Sequence, residues 1–224
     1  MDMKKFIIVG FCLLSAGCAT TNSDNSGGSY AQGSAEQLYK MGNQYAKGNG
    51  VSQNYSKAVQ YYQQSAQMGY AKAQYALGYL YRTGHGVPQN YNAAADWFEK
   101  AANQGNSDAQ YSLGVRYLMG QGTQQDYARA LSWFQRAAGQ DNAYAENQLG
   151  YMYAEGKSVP QNYAMSLQWY QKAADHGLAS AQYSLGMMYA KGLGTPVDTA
   201  KAKQLFQAAA ASGFDPAQKA ATQY

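Results

Sequence analysis

A chain of 224 residues with a formal net charge of +4 and only 13% charged residues, scattered along its length, has no basic stripe. That argues against nucleic-acid binding. Its two cysteines, Cys12 and Cys18, both lie near the start, so the remainder has neither a disulfide nor a thiolate metal ligand and must be held by packing.

The first segment, residues 1–17, is predicted to be a signal peptide. Lys4 and Lys5 form a basic start, an apolar run extends from Phe6 to Leu14, and Ser15-Ala16-Gly17 precede Cys18. The run is about half the length of a membrane-spanning helix. Leu14-Ser15-Ala16-Gly17-Cys18 resembles the lipobox of bacterial lipoproteins, although Ser15 stands where leucine is usual. The resemblance implies cleavage before Cys18 and lipidation of that residue. The alternative is a plain secretory signal cut nearby. Several acyl chains anchor a protein stably where one is marginal. Ala19 is not the aspartate that retains such proteins at the inner membrane of enteric-type bacteria, and the analogy implies an outer-membrane location in a Gram-negative host, facing either the periplasm or the outside. Residues 18–34 are polar and rich in Gly and Ser, and are expected to form a flexible tether.

From residue 35 the chain repeats. Gly42, Gly78, Gly114, Gly150 and Gly186 recur every 36 residues. In the same phase run Tyr45, Tyr81, Tyr117, Tyr153 and Tyr189, and the ring series Tyr62, Phe98, Phe134, Tyr170 and Phe206. The predicted units are 35–70, 71–106, 107–142, 143–178 and 179–214. Within the second, Ala73, Leu77 and Tyr81 mark one stripe of a helix A, which Gly84-His85-Gly86 ends. Asn90, or Asn54, Asp126, Asn162 and Asp198 in its phase, caps a helix B, and Gly105 closes it. Asp141 replaces glycine in that closing phase, so that turn is expected to differ. Glycine in the middle of helix A costs about 1 kcal/mol of helix propensity against alanine. Its recurrence predicts close approach of the ring at the Phe98 position. Asp215-Pro216 open a last helix, 215–224, expected to cap the array. The fold class is therefore all-α, an array of helix pairs in which each unit packs on its neighbours.

Ala73-Gln74-Tyr75, Leu77-Gly78, Tyr81, Gly84, Gly86, Tyr91, Ala94, Trp97-Phe98, Ala101-Ala102 and Gly105 together resemble the Sel-one-like repeat, a relative of the tetratricopeptide repeat. The resemblance implies a right-handed α-solenoid of antiparallel helix pairs. It also implies a scaffold or adaptor role, with envelope or secreted proteins as partners.

Four phases on one face of helix A, those of residues 72, 76, 79 and 83, hold no fixed residue type. By analogy with related solenoids this face lines the concave side. Tyr79, Val115, Met119, Tyr144, Tyr151 and Met187 are the candidate anchors for a partner segment, and packing between adjacent A helices is the competing explanation. Rows of tyrosine also admit a cell-wall or polysaccharide ligand.

Catalysis is not expected. His85 and His176 stand alone in different phases, and no HExxH, phosphate-binding loop or cysteine pair is present. Some proteins of the resembled family carry β-lactamase or penicillin-binding activity. They have a cysteine pair per repeat, which this chain lacks, and no lysine here has a serine three residues before it. No cofactor or metal is expected, and the membrane is expected as a partner only through the lipid anchor.

Overall fold

The computed structural model describes residues 27–223, with side chains from 34 onward. The signal and lipobox readings, Cys18 included, lie outside the described residues. Among the described residues every regular element is a helix. They pair as α1 (Gly27–Lys47) with α2 (Tyr55–Gln67), α3 (Ala71–Thr83) with α4 (Tyr91–Asn103), and α5 (Ser107–Met119) with α6 (Tyr127–Ala138). Then follow α7 (Ala143–Glu155) with α8 (Tyr163–Asp175), α9 (Ala179–Lys191) with α10 (Thr199–Ala211), and a last helix α11 (Asp215–Gln223).

Local chemistry sets each hairpin. The side chains of Asn54, Asp126, Asn162 and Asp198 accept the backbone N–H three residues on, at 2.9–3.0 Å. Asn90 accepts from both Asn92 and Ala93. Such a cap contributes about 1 kcal/mol. The backbone N–H of the same residue donates to the carbonyl of the tyrosine near the end of helix A, from Asn54 to Tyr45 through Asp198 to Tyr189. The residue before the cap adds a second tie. Gln53, Gln89, Gln125 and Gln161 donate through Nε2 to the carbonyls of Ala46, Arg82, Leu118 and Ala154. These carbonyls belong to the last turn of helix A, which has no intrahelical donors left. The connection is thus clamped from both sides in four units, and in the fifth, where Val197 precedes the cap, by the Asp198 bonds alone.

The glycine in helix A meets the ring that its spacing predicts. A Cβ on Gly78 would lie 2.8 Å from Phe98, on Gly150 2.7 Å from Tyr170, and on Gly186 2.7 Å from Phe206. Gly114 faces Phe134 and Gly42 faces Tyr62 in the same way. Small against large lets helices A and B approach closely, as in a crystal-like core.

Each helix packs chiefly on its neighbours in the chain, so the hairpins stack in order. The core follows as a row of separate clusters. One centres on Tyr62 and Leu77, the next on Phe98 and Leu113, then Phe134 and Leu149, Tyr170 and Leu185, and Phe206 with Ala220. The architecture is an all-α solenoid.

Two expectations need correction. Helix α1 starts at Gly27, within the segment read as a tether, because extending an existing helix adds a hydrogen bond for each residue fixed whereas starting one does not. The turn at Asp141 does not differ from its counterparts. Asp141 adopts φ 57°, and the Gln140, Asp141 and Asn142 amides donate to Ala137, Ala138 and Ala137, as Gln104, Gly105 and Asn106 donate to Ala101, Ala102 and Ala101. Aspartate is among the few residues whose short polar side chain tolerates this conformation.

Candidate functional site

Helix A turns Ala73, Leu77 and Gly78, with their equivalents, into the core. The phases of residues 72, 79 and 83 are left partly or wholly open to solvent. On this face Tyr79, Met119, Tyr144 and Tyr151 are between 38% and 61% exposed. They sit on α3, α5 and α7. Tyr144 leans on the Tyr111 ring at 5.7 Å, and the Arg82 guanidinium lies 5.0 Å from the Tyr79 ring centre.

The other two candidates differ. Val115 is half-buried and packs against the cluster around Phe134. Met187 is half-buried against the Phe206 cluster. It lines a recess with Asp215, Pro216 and Lys219 of α11, so the terminal helix takes up this end of the face. The structure therefore brings Tyr144 and Tyr151 together on α7, sets Tyr79 and Met119 on the two preceding A helices, and draws Val115 and Met187 inward.

Where α3, α4 and α5 meet there is a cavity of about 230 Å³. Tyr75, Phe98, Tyr111 and Val115 contribute apolar wall, and Arg82, Arg116 and Ser112 contribute polar groups. Arg116 is oriented by donating to the carbonyls of Gln121 and Gly122 at 3.0 and 2.8 Å. Among the described residues neither arginine has a carboxylate oxygen within 4.0 Å. Burial pushes the Tyr75 and Tyr111 phenols above their ordinary range, so both remain protonated donors. Two unneutralised guanidinium groups beside phenols and a hydroxyl suit a carboxylate or another anion.

Sequence reasoning missed the two arginines because they belong to different phases. Their signal is that each is the only charged residue in its phase: Arg82 aligns with Ala46, Leu118, Ala154 and Ala190, and Arg116 with Gln44, Leu80, Met152 and Met188.

His85 stacks on Tyr55 at 4.8 Å, with Nδ1 2.9 Å from the Thr83 hydroxyl, so its surroundings are one ring and one turn. Among the described residues, the one group of three His, Cys, Asp or Glu side chains close enough to share an ion lies elsewhere, beside the α6–α7 turn.

Comparison with known proteins places the array. A family model described as "Sel1 repeat" matches residues 36–70, 71–106, 107–142, 143–178 and 179–214. No match is found among curated proteins. A Sel1 repeat protein from Oxalobacter formigenes is 34% identical, with a TM-score of 0.81 over 86% of this chain and 76% of that one. A protective antigen present in uropathogenic Escherichia coli strains, displaying an SLR fold, is 39% identical with a TM-score of 0.77. That match covers 85% of this chain but 41% of the antigen. An immunity protein from Pseudomonas aeruginosa, 23% identical with a TM-score of 0.55 over 82% of this chain and 67% of that one, shares the fold alone. With five consecutive units matched over most of its length, this chain belongs to the Sel1 repeat family.

Proposed function

We propose that the chain is an envelope-anchored scaffold whose A-helix face binds a segment of another protein, one that presents apolar side chains and a carboxylate. Proteins of the Sel1 repeat family are generally scaffolds for protein–protein interaction. The observation that carries the finer reading is the adjacency of two features. Tyr79, Met119, Tyr144 and Tyr151 stand exposed on successive A helices, and Arg82 and Arg116 line, without a carboxylate partner, a cavity that adjoins two of these rings through the Arg82–Tyr79 and Tyr111–Tyr144 contacts. Aromatic and Met side chains with arginine form the usual anchors of a protein interface. Lipidation at Cys18 would hold the scaffold in the envelope, at the outer membrane by the analogy of Ala19. Among the described residues no helix is long and apolar enough to cross a membrane.

The test is site-specific photo-crosslinking in the native host. A benzoylphenylalanine at Tyr79 or Tyr151 is expected to capture one discrete protein, while the same probe at Asp96, exposed on α4, captures none. Arg82→Glu with Arg116→Glu is expected to abolish the adduct. The same adduct from Asp96, or no adduct from the A-helix positions, would remove the proposal. Sedimentation of the pure chain with cell-wall polymer, undiminished by those two substitutions, would favour the polysaccharide reading instead.

A further inference from the structure

In the second and third units a glutamine on helix A ties three helices together. Gln74 Nε2 donates to the Ala66 carbonyl at 3.1 Å, and its Oε1 accepts from Gln104 Nε2 at 2.7 Å. Gln110 repeats both bonds with Ala102 and Gln140, at 3.2 and 2.8 Å. The fourth unit changes both partners. Glu146 stands where Gln74 and Gln110 stand, and His176 stands where Gln104 and Gln140 stand. A third departure falls nearby: Asp141 occupies a phase that is otherwise Gly33, Gly69, Gly105, Gly177 and Gly213, in a left-handed conformation. Three breaks with the repeat thus meet at one point in space. One ligand atom from each side chain can be chosen so that all three lie within 4.8 Å of one another.

The change leaves a defect that the glutamine pair does not have. A carboxylate cannot donate to the carbonyl of Ala138 as the amides donate to those of Ala66 and Ala102. The Glu146 side chain is 2% exposed, and its buried Oε2 has no hydrogen-bond partner. The nearest imidazole nitrogen, His176 Nε2, is 3.7 Å away, too far for a hydrogen bond. Lys172 does not fill the gap, since its ammonium lies over the Trp169 ring at 4.5 Å. A buried carboxylate beside a second carboxylate, with an imidazole at 3.7 Å that carries charge only when protonated, has room and need for a closer cation.

We propose that Asp141, Glu146 and His176 bind a divalent first-row transition ion. Two carboxylates and one imidazole, with water completing the shell, match the donor sets of zinc-type sites more than those of magnesium or calcium. Ligands about 2.0–2.1 Å from a tetrahedral ion lie roughly 3.4 Å from one another, so the 3.7 Å between Glu146 and His176 closes with a small side-chain rotation. The ion would join the α6–α7 turn, the first turn of α7 and the end of α8, and so fix the third unit to the fourth. The ion takes the place of the two amide hydrogen bonds found one and two units earlier.

The repeat supplies its own control. Asp141→Gly, Glu146→Gln and His176→Gln restore the residues of the second and third units, except that the third unit's own closing turn holds Asp141, so the variants are expected to fold. Zinc chloride is titrated calorimetrically into the full, untagged chain in detergent, and melting is followed with and without the ion. The wild type is expected to take up one zinc per chain and to melt at a higher temperature with it. Loss of even an outer-sphere partner weakens such sites about 10–100-fold, so Glu146→Gln or His176→Gln is expected to weaken binding at least about tenfold, and the triple variant to show none. Cobalt substituted for zinc is expected to give a spectrum without thiolate charge transfer. Absence of uptake by the wild type, equal uptake by the triple variant, or a thiolate band from Cys12 or Cys18 would each overturn the assignment.

Discussion

Gly78→Ala sets two opposed effects against each other inside one hairpin. In an isolated helix the substitution stabilises by about 1 kcal/mol. Here the new methyl would lie 2.8 Å from Cδ1 and Cε1 of Phe98 and 3.1 Å from the Ala94 carbonyl oxygen. The ring can tilt, but the carbonyl belongs to the α4 backbone and moves only if α3 and α4 part. Overpacking of this kind costs about 1–3 kcal/mol, so the net expectation is a loss of about 1 kcal/mol. Phe98→Leu removes the far end of the ring. In that background the contact with Cε1 is relieved while the one with the Ala94 carbonyl remains, so Gly78→Ala is expected to be neutral or slightly stabilising, a coupling of about 1 kcal/mol across the pair. The assay is urea denaturation of all four proteins followed by far-UV circular dichroism. Slopes are compared as well as midpoints, because repeat arrays lose two-state behaviour when one unit weakens. If Gly78→Ala raises the midpoint in the wild-type background as much as it does beside Leu, close approach of the ring is not why glycine stands there.

Ser158 holds φ 63° where Gly50, Gly86, Gly122 and Gly194 stand in the other units, so Ser158→Gly is expected to raise stability by about 1 kcal/mol in the same urea assay. Burial pushes the Tyr170 phenol from 10.0 up to about 12. The folded state therefore keeps a proton that the unfolded chain loses first. Stability is unaffected below about pH 10 and falls above it, by up to about 1.4 kcal/mol per pH unit. Tyr170→Phe, the ring type at Phe98, Phe134 and Phe206, is expected to make that alkaline decline less steep, the raised Tyr62, Tyr75 and Tyr111 phenols supplying what is left, and a decline equally steep in the variant would remove the cause given for it. Cys18→Ala is expected to move the protein from the membrane pellet to the soluble fraction in cell fractionation, and unchanged sedimentation would count against lipid anchoring.

Much of the fold is legible along the chain because its determinants are local and repeated. The caps at Asn54, Asn90, Asp126, Asn162 and Asp198 act within three residues of themselves. The interval of 36 residues carries every hairpin into the same stacking. The pairing of Gly78 with Phe98 is readable for the same reason, since a cost repeated in each copy has a cause in each copy. The candidate site is only partly legible. Helical phase keeps all six candidates off the buried stripe, but Tyr79, Val115, Tyr151 and Met187 share one phase, and which of them stands out and which turns inward depends on what the next helix presents to it.

Sequence alone thus determined the unit, its boundaries in phase, and the side of helix A that faces the core, because helix periodicity and capping act over a few residues. Tertiary structure alone decided which single departures from the repeat meet. Arg82 and Arg116 come from different phases and line one cavity. Asp141, Glu146 and His176 come from three different places in the repeat and converge beside α7. Such meetings depend on which side chains the stacking of one hairpin on the next brings within reach, and a repeat, which specifies what the units share, does not specify where their exceptions meet.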